Sequence, residues 1–372
     1  MTLPLNSTDV FVVGGGPAGL AAAIAARQQG FDVVVADCAR ASIDKACGEG
    51  LMPDCLDALR ALDVSLTGYE TGSFRGIKFV GPEGSAQADF PEGCGIGIRR
   101  LLLHQVLKEH AEKIGVRTWW GVRVSGIREE AVLANGEAIR SRWIVGADGL
   151  NSQVRKWAGL SPGVNSGRRI GVRQHFNIQP WSDFVEVHWG NAGQAYVTPI
   201  AENEVCVAII SKRRFQSFDV GLAHFPELSL RLDGARKLSV ARGALTMNRR
   251  LKLVTRGNVA LVGEASGSVD AITGDGLALA FRQALTLGSA LVARDLSAYQ
   301  TAHCKIAQLP HSMANAMLLM DRSKWVRSRV LRVFATKPRL FEQMLSMHVG
   351  ERPLLPIDAG AFVALGWNLL TA

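Results

Sequence analysis

The chain has 372 residues, 48% apolar and 20% charged, which suits one large globular domain or two moderate ones. Its formal charge of +9 could meet nucleic acid, anionic lipid or an anionic cofactor, yet no zinc-finger spacing, long Lys/Arg block or RNA-binding aromatic signature occurs, so a nucleic-acid partner is not expected. Six scattered cysteines (Cys38, Cys47, Cys55, Cys94, Cys206, Cys304) without a Cys-x-x-Cys pair argue against a metal centre or disulfide framework and for a reducing, cytoplasmic setting; no secretory pattern and no apolar run near the roughly 20 residues of a membrane span is found.

The chain opens on a βαβ pattern: a buried strand Asp9–Val13, a glycine turn, an alanine-rich helix over Leu20–Gln29 ended by Gly30, and a Val-rich strand Phe31–Ala36. A glycine- and cysteine-containing loop fills 38–52, followed by a short helix Pro53–Leu62. Strands Phe74–Val80 and Gln87–Phe90 flank the turn Gly81-Pro82-Glu83-Gly84. A helix Leu101–Ile114 precedes strands Val116–Trp120, Val122–Ile127, Ala131–Leu133 and Ala138–Val145. From 166 to 254 the period is two, with strands Ile170–Ile178, Phe184–Trp189, Ala195–Thr198, Val205–Ile210 and Leu238–Leu245. Val259–Val262 restores the earlier buried strand type, and the chain from Gly276 onward reads as helical. The expected class is α/β: a Rossmann-like, doubly wound parallel sheet (1–73, 95–165, 255–300) with an inserted, mostly antiparallel β-sheet substrate domain (74–94, 166–254) and a helical C-terminal region (301–372).

Gly14-Gly15-Gly16-Pro17-Ala18-Gly19 places Gly-x-Gly-x-x-Gly between strand and helix. Gly14 allows the tight turn, Gly16 lets backbone approach a pyrophosphate, and Gly19 lets the helix sit close to the sheet, while the helix start offers free N–H groups. Asp37 ends the second strand and can accept from both ribose hydroxyls of an adenosine, which argues against a 2′-phosphate there. Two further buried strands end in glycine plus an acid. Val145-Gly146-Ala147-Asp148-Gly149 runs into Ser152-x-x-Arg155, and Asp148 is either a ligand acid or a turn cap. Val262-Gly263-Glu264 runs through Gly274-Asp275-Gly276-Leu277 into a helix.

These three segments together resemble the p-hydroxybenzoate hydroxylase-like flavoprotein superfamily over about residues 8 to 330. The resemblance implies non-covalent FAD, its pyrophosphate on Gly14, Gly16, Pro17, Ala18 and Gly19, its adenosine ribose on Asp37, and Asp148 near the pyrophosphate. It places Glu264, where the superfamily usually has Asp, toward the ribityl chain, with Gly274, Gly276 and Leu277 at the flavin. It also implies that Arg100 contacts FAD, with Arg99 as its possible substitute, and that the backbone at Val124 contacts adenine. Only one dinucleotide fingerprint is present, so NAD(P)H is expected as a transient reductant.

Lys45-Ala46-Cys47-Gly48-Glu49-Gly50-Leu51-Met52-Pro53 is similar to a segment of the geranylgeranyl reductase branch that lies beside the isoalloxazine. Cys47 is then a proton donor or polar contact, or else a small residue required by a tight loop; Gly48 lets backbone approach the ring. The resemblance implies NAD(P)H-dependent hydroxylation of a hydrophobic aromatic or polyketide-like molecule as the expected chemistry, since that describes most of the superfamily; the alternative, toward which the Cys47 loop points, is reduction of prenyl or polyketide double bonds. Halogenation lacks its Trp-x-Trp-x-Ile-Pro segment. His188 and Tyr196 lead a set, with Arg173, His175 and Trp189, that either lines the substrate site or merely alternates along strands.

Residues 321–340 interleave Arg322, Lys324, Arg327, Arg329, Arg332, Lys337 and Arg339 with apolar residues. This is a basic amphipathic helix that packs on the core or meets an anionic membrane peripherally, which would make the protein membrane-associated. An apolar tail, 354–370, would suit a tunnel cover or lipid contact. A flavin-binding redox sensor without turnover is the alternative of another class. The substrate's identity and the oligomeric state are not encoded in any motif.

Overall fold

The computed structural model describes residues 6–82, 84–128, 130–160, 164–165 and 167–350. The expected tail over 354–370 lies outside the described residues. Ten helices are described: α1 Pro17–Gln28, α2 Pro53–Ala61, α3 Arg100–Lys113, α4 Gln153–Trp157, α5 Phe218–Leu222, α6 Pro226–Arg231, α7 Gly276–Ala293, α8 Leu296–Arg322, α9 Lys324–Thr336 and α10 Pro338–His348.

The first sheet runs Thr255–Arg256, Val259–Leu261, Glu137–Gly146, Ser7–Val13, Val33–Asp37, Arg117–Trp120 in spatial order. All neighbours are parallel except the first pair. Helices cover both faces, so the strands are apolar throughout rather than alternating: Val10, Phe11 and Val12 pair with Val33, Val34 and Val35 on one side and with Trp143, Ile144 and Val145 on the other. Helix α1 owes its form to alanine, with Pro17 at its first turn and Gly30 past its end at φ +85°. It lies so close to α7 that a Cβ at Gly288 would sit 3.2 Å from the Ala25 carbonyl oxygen. Helix α7 is long and apolar enough to cross a membrane by length and composition, yet more than half of it is buried, and in this fold it is a core helix.

The second sheet runs Arg236–Lys237, Arg169–Asn177, Glu204–Ser211, Gln194–Ala201, Phe184–Trp189, Gly76–Gly81, Gly84–Asp89, antiparallel but for the pair Phe184–Trp189 with Gly76–Gly81. Its strands obey the expected period of two. Tyr196 stands opposite Val187 and Ala208, Thr198 opposite Cys206, and Cys206 opposite His175, so these residues share the front face. Val197, Val207 and Phe176 fill the back face with Phe218, Leu222 and Leu228.

Two departures from the sequence reading have local causes. The expected strand Leu238–Leu245 splits into Arg236–Lys237 and Arg242–Thr246, because Ser239 turns its hydroxyl to accept from the N–H of His175 at 3.2 Å. Helices α5 and α6 occupy a stretch with no predicted element; Ser217 caps α5 by accepting from Val220, and Pro226 starts α6.

Candidate flavin site

The three glycine turns converge at the carboxyl edge of the parallel sheet. Gly14 (φ +110°) has Ala147 against it, so a Cβ there would lie 2.4 Å from the Ala147 carbonyl oxygen; one at Gly19 would lie 1.8 Å from the Gly14 oxygen. A Cβ on Gly263 would meet that of Ala18 at 2.6 Å, and Glu264 Oε2 lies near Gly149. The first, second and third motifs are therefore in mutual contact. Beside them, Gly16, Gly48 and Gly276 face open space, where an added Cβ would meet nothing within 4 Å.

Two helix starts face this region without side-chain caps: α1, whose Ncap is Gly16, and α7, whose Ncap is Asp275. Their leading N–H groups remain available to an anion or a carbonyl. Asp37 accepts from Gly15 N–H at 2.7 Å and Ala39 N–H at 2.7 Å, which fixes the carboxylate at the strand end. Val124 starts the strand Val124–Arg128 just after Val122, whose N–H donates to the Asp37 carbonyl. Asp148 is in part the turn cap: its Oδ2 accepts from Gln153 and Val154 at the start of α4, while its buried Oδ1 has no partner in the protein. Glu264 pairs with Lys45 of the cysteine loop. A Cβ on Gly274 (φ +76°) would lie 3.9 Å from the Met52 methyl, and Leu277 packs against the main core.

The cysteine loop lies between the sheets. Cys206 Sγ approaches the Cys47 carbonyl at 3.8 Å, Thr198 donates to the Gly48 carbonyl at 2.8 Å, and the Cys47 sulfur accepts from Glu49 N–H at 3.4 Å. Burial pushes the Cys47 thiol up, against the opposing pull of Arg100. Arg100 is buried, its own pKa lowered by burial, and its Nη1 has no hydrogen-bond partner in the protein.

Sequence reasoning missed the residue that organises this loop. Glu49 is buried at φ +62°; its Oε1 accepts from Arg100 N–H at 2.9 Å, and its Oε2 lies 2.6 Å from His175 Nε2. Arg173 Nε is 3.6 Å from the same carboxylate, so Glu49, His175 and Cys206, close enough together to suggest metal ligands, already have a cation beside them. His104, also missed, bonds the Gly15 carbonyl at 2.8 Å, and Trp120 covers Gly15 so tightly that a Cβ would lie 2.6 Å from its ring.

The proposed catalytic set needs one correction. Tyr196 is on the front face and donates to the Ile272 carbonyl at 2.7 Å. His188 pairs with Ala195 and Glu186 with Val197, which places both on the back face. There His188 Nε2 lies 3.0 Å from Glu186, beside Trp181, and is turned away from Tyr196 and Cys47. An alternating strand sends adjacent residues to opposite faces, and the motif Val-His-Trp does not say which face meets the ligand.

The site fits a dinucleotide that carries a ring system. Open glycines line the path, two uncapped helix starts point at it, and Asp148 Oδ1 and Arg100 Nη1 stand as buried polar atoms awaiting partners. The parallel sheet with its first-strand glycine turn, roofed by a second, mostly antiparallel sheet, defines a two-sheet dinucleotide-dependent flavoprotein.

The sequence matches the family model described as FAD binding domain over residues 7–298, and the chain belongs to that family. It is 27% identical over 323 residues to menaquinone reductase of Mycobacterium tuberculosis, covering 78% of each chain. It is 26% identical to digeranylgeranylglycerophospholipid reductase of Methanosarcina acetivorans, covering 72% of this chain and 71% of the relative. A rifampicin monooxygenase of Streptomyces venezuelae is 31% identical over 42% of this chain and 35% of its own length. Among solved structures, p-nitrophenol 4-monooxygenase of Pseudomonas putida superposes with a TM-score of 0.77 at 18% identity, covering 94% of this chain and 100% of that one. A geranylgeranyl bacteriochlorophyll reductase-like protein of Thermoplasma acidophilum superposes with a TM-score of 0.69 at 21% identity, covering 97% and 96%. The protein is an FAD-dependent oxidoreductase.

Proposed function

We propose that this oxidoreductase saturates carbon–carbon double bonds of a hydrophobic, isoprenoid-type substrate, with electrons from NAD(P)H. The observation that carries this reading is Cys47. It sits on the loop between the two sheets, burial raises its thiol pKa and so favours the protonated form, and Met52 of the same loop and Ile272 join an apolar cluster with Phe74 and Phe79. Saturating an alkene requires a hydride on one carbon and a proton on the other. FAD held along Gly14, Gly16 and Gly19 and the start of α7 would, in its reduced form, supply the hydride and be oxidised. The Cys47 S–H bond breaks to supply the proton, and Arg100 stabilises the thiolate that remains until solvent reprotonates it. Arg100 and Glu49 hold the loop in place, and the apolar cluster excludes water. The menaquinone reductase and the digeranylgeranylglycerophospholipid reductase, each matched over about three quarters of the chain, are reductases by name, which supports the same direction.

The test is a single turnover without oxygen. The holoprotein is reduced with NADPH and mixed with menaquinone or a geranylgeranyl phospholipid in detergent, and flavin absorbance and product mass are followed. Reoxidation with a product that has gained two hydrogens is expected, and Cys47→Ala slows that step about a hundredfold while flavin reduction by NADPH is unchanged. Reoxidation that requires oxygen, with an aromatic or polyketide-like product that has gained one oxygen atom, identifies a hydroxylase instead and overturns the proposal.

A further inference from the structure

We infer that the corner between α8 and α9 is a docking surface for an anionic lipid bilayer. The inner face of α9 is committed to the fold: Val330, Leu331 and Phe334 are buried in the cluster that contains Met52, Phe79 and Ile272, and Phe334 stacks on Phe341 at 4.8 Å. The outer side carries a different composition. Leu319 in the last turn of α8 is 53% exposed, and Trp325 in the first turn of α9 is 57% exposed. Arg322 and Lys324 stand between them and are exposed, with Arg332, Lys337 and Arg339 exposed further along. The Arg329 guanidinium lies 4.5 Å from the Trp325 ring centre.

The single acid of this stretch does not dilute the charge. Asp321 turns inward, its side chain 8% exposed, where it accepts from Gln194 at 2.5 Å and meets Lys212 at 3.3 Å and Arg169 at 3.8 Å. The outer corner therefore presents cations around a tryptophan and a leucine. Exposed large apolar side chains set in a cationic rim match the interface of a bilayer, where an indole sits at headgroup level and lysine or arginine meets lipid phosphate. Nucleic acid would meet the cations but gives Leu319 nothing to bury against. The helix that bears this surface is also the outer wall of the apolar cluster beside the cysteine loop, so a docked molecule would hold that cluster close to the bilayer. The inference does not depend on which acceptor the flavin reduces.

The experiment uses the full-length holoprotein and sedimentation with vesicles of phosphatidylcholine alone or mixed with phosphatidylglycerol, at ~0.1 M salt and again at ~0.5 M. The expected result is at least tenfold stronger partitioning to the mixed vesicles, weakened by the higher salt. Each cation near the surface contributes about a fivefold factor, so the double variant Arg322→Glu/Lys324→Glu loses at least about twenty-five-fold. Trp325→Ser lowers binding to both vesicle types, which separates insertion from charge attraction. These residues are exposed, so melting temperature and bound-flavin absorbance stay at wild-type values and report a folded protein. Equal binding to neutral and anionic vesicles, no binding to either, or binding untouched by the charge reversal overturns the inference. Loss of duplex DNA binding in the double variant with vesicle binding intact also overturns it.

Discussion

Glu49 and His175, 126 positions apart in the sequence, are joined by a 2.6 Å hydrogen bond between Oε2 and Nε2, and both are buried. This contact ties the cysteine loop to the front of the second sheet, and the other end of the imidazole, Nδ1, meets the Ser239 hydroxyl at 2.8 Å. The loop that carries Cys47 and Gly48 is therefore positioned by a residue of the second sheet.

Removing one partner strands the other in a low-dielectric interior beside Arg173. Glu49→Ala is expected to cost about 3 kcal/mol of unfolding free energy. His175→Ala should cost a comparable amount, and the double variant less than the sum, with a coupling of at least about 1 kcal/mol. Denaturant titration of all four proteins measures it. Additive effects would mean that the contact does not couple the two sheets.

The glycines separate ligand space from protein space. A methyl group on Gly16 meets nothing within 4 Å in the protein, whereas one on Gly19 would stand 1.8 Å from the Gly14 oxygen. Gly16→Ala should leave the apoprotein's melting temperature unchanged and weaken FAD at least about tenfold, because its methyl enters the space left for phosphate. Gly19→Ala should destabilise the apoprotein itself by about 3 kcal/mol, through overpacking. Calorimetry of flavin-free protein and flavin titration make the comparison. Equal melting temperatures for both variants would contradict the assignment.

The parallel sheet and its glycine turns were legible because their signals are local: a buried valine run, a turn that only glycine can form, and an alanine helix lie within about 30 residues. The second sheet was legible in its strands but not in its faces. A period of two identifies which residues travel together, and only the partner sheet decides which set meets the ligand. That is why Tyr196 and His188, eight positions apart, lie on opposite faces. The role of Glu49 is not legible in the loop motif that contains it, since it depends on His175, Arg173 and Arg100, none of which is near it in sequence.

His188 provides a direct check of that face assignment. His188→Ala should leave the turnover of FAD-loaded protein within about twofold and reduce stability by about 2 kcal/mol, through the lost buried hydrogen bond to Glu186. Burial works to raise the Glu186 pKa, but bonds from His188 and Trp181 hold it down at about 2. The folded pKa is depressed, so this stabilisation is complete above the ordinary value of 4.5 and disappears as pH falls toward 2. The acid limb of the wild-type stability curve should therefore be steeper than that of His188→Ala. A hundredfold loss of turnover in a stable variant would restore His188 to the active site.

His348, at the end of α10, donates from Nε2 toward Asp275 Oδ1 at 3.0 Å and the Thr273 carbonyl at 3.0 Å, fastening the C-terminal helices to the Gly274–Gly276 turn. Burial opposes its charge, yet Asp275, the Thr273 carbonyl and nearby Asp54 lift its pKa from 6.5 to about 9. The folded state holds the proton more tightly, so the contribution, about 3 kcal/mol, is complete below pH 6.5 and is lost as pH rises through 9. Asp54 acts in a lower window. Burial first, and then Asp275, raise it from 3.8 to about 6, so its effect also makes stability fall with rising pH, between about 4 and 6. Thermal unfolding across pH 4 to 10 should show both declines. His348→Gln keeps a donor for Thr273 and removes the charge, so the decline between pH 6.5 and 9 should vanish. Asp54→Asn should remove the lower one. Because the pair braces the turn at the start of α7, FAD affinity in wild type should weaken in step with the upper decline and stay flat in His348→Gln. Stability curves for His348→Gln and wild type that ran parallel from pH 6 to 10 would show that the imidazolium–carboxylate pair does not hold this turn.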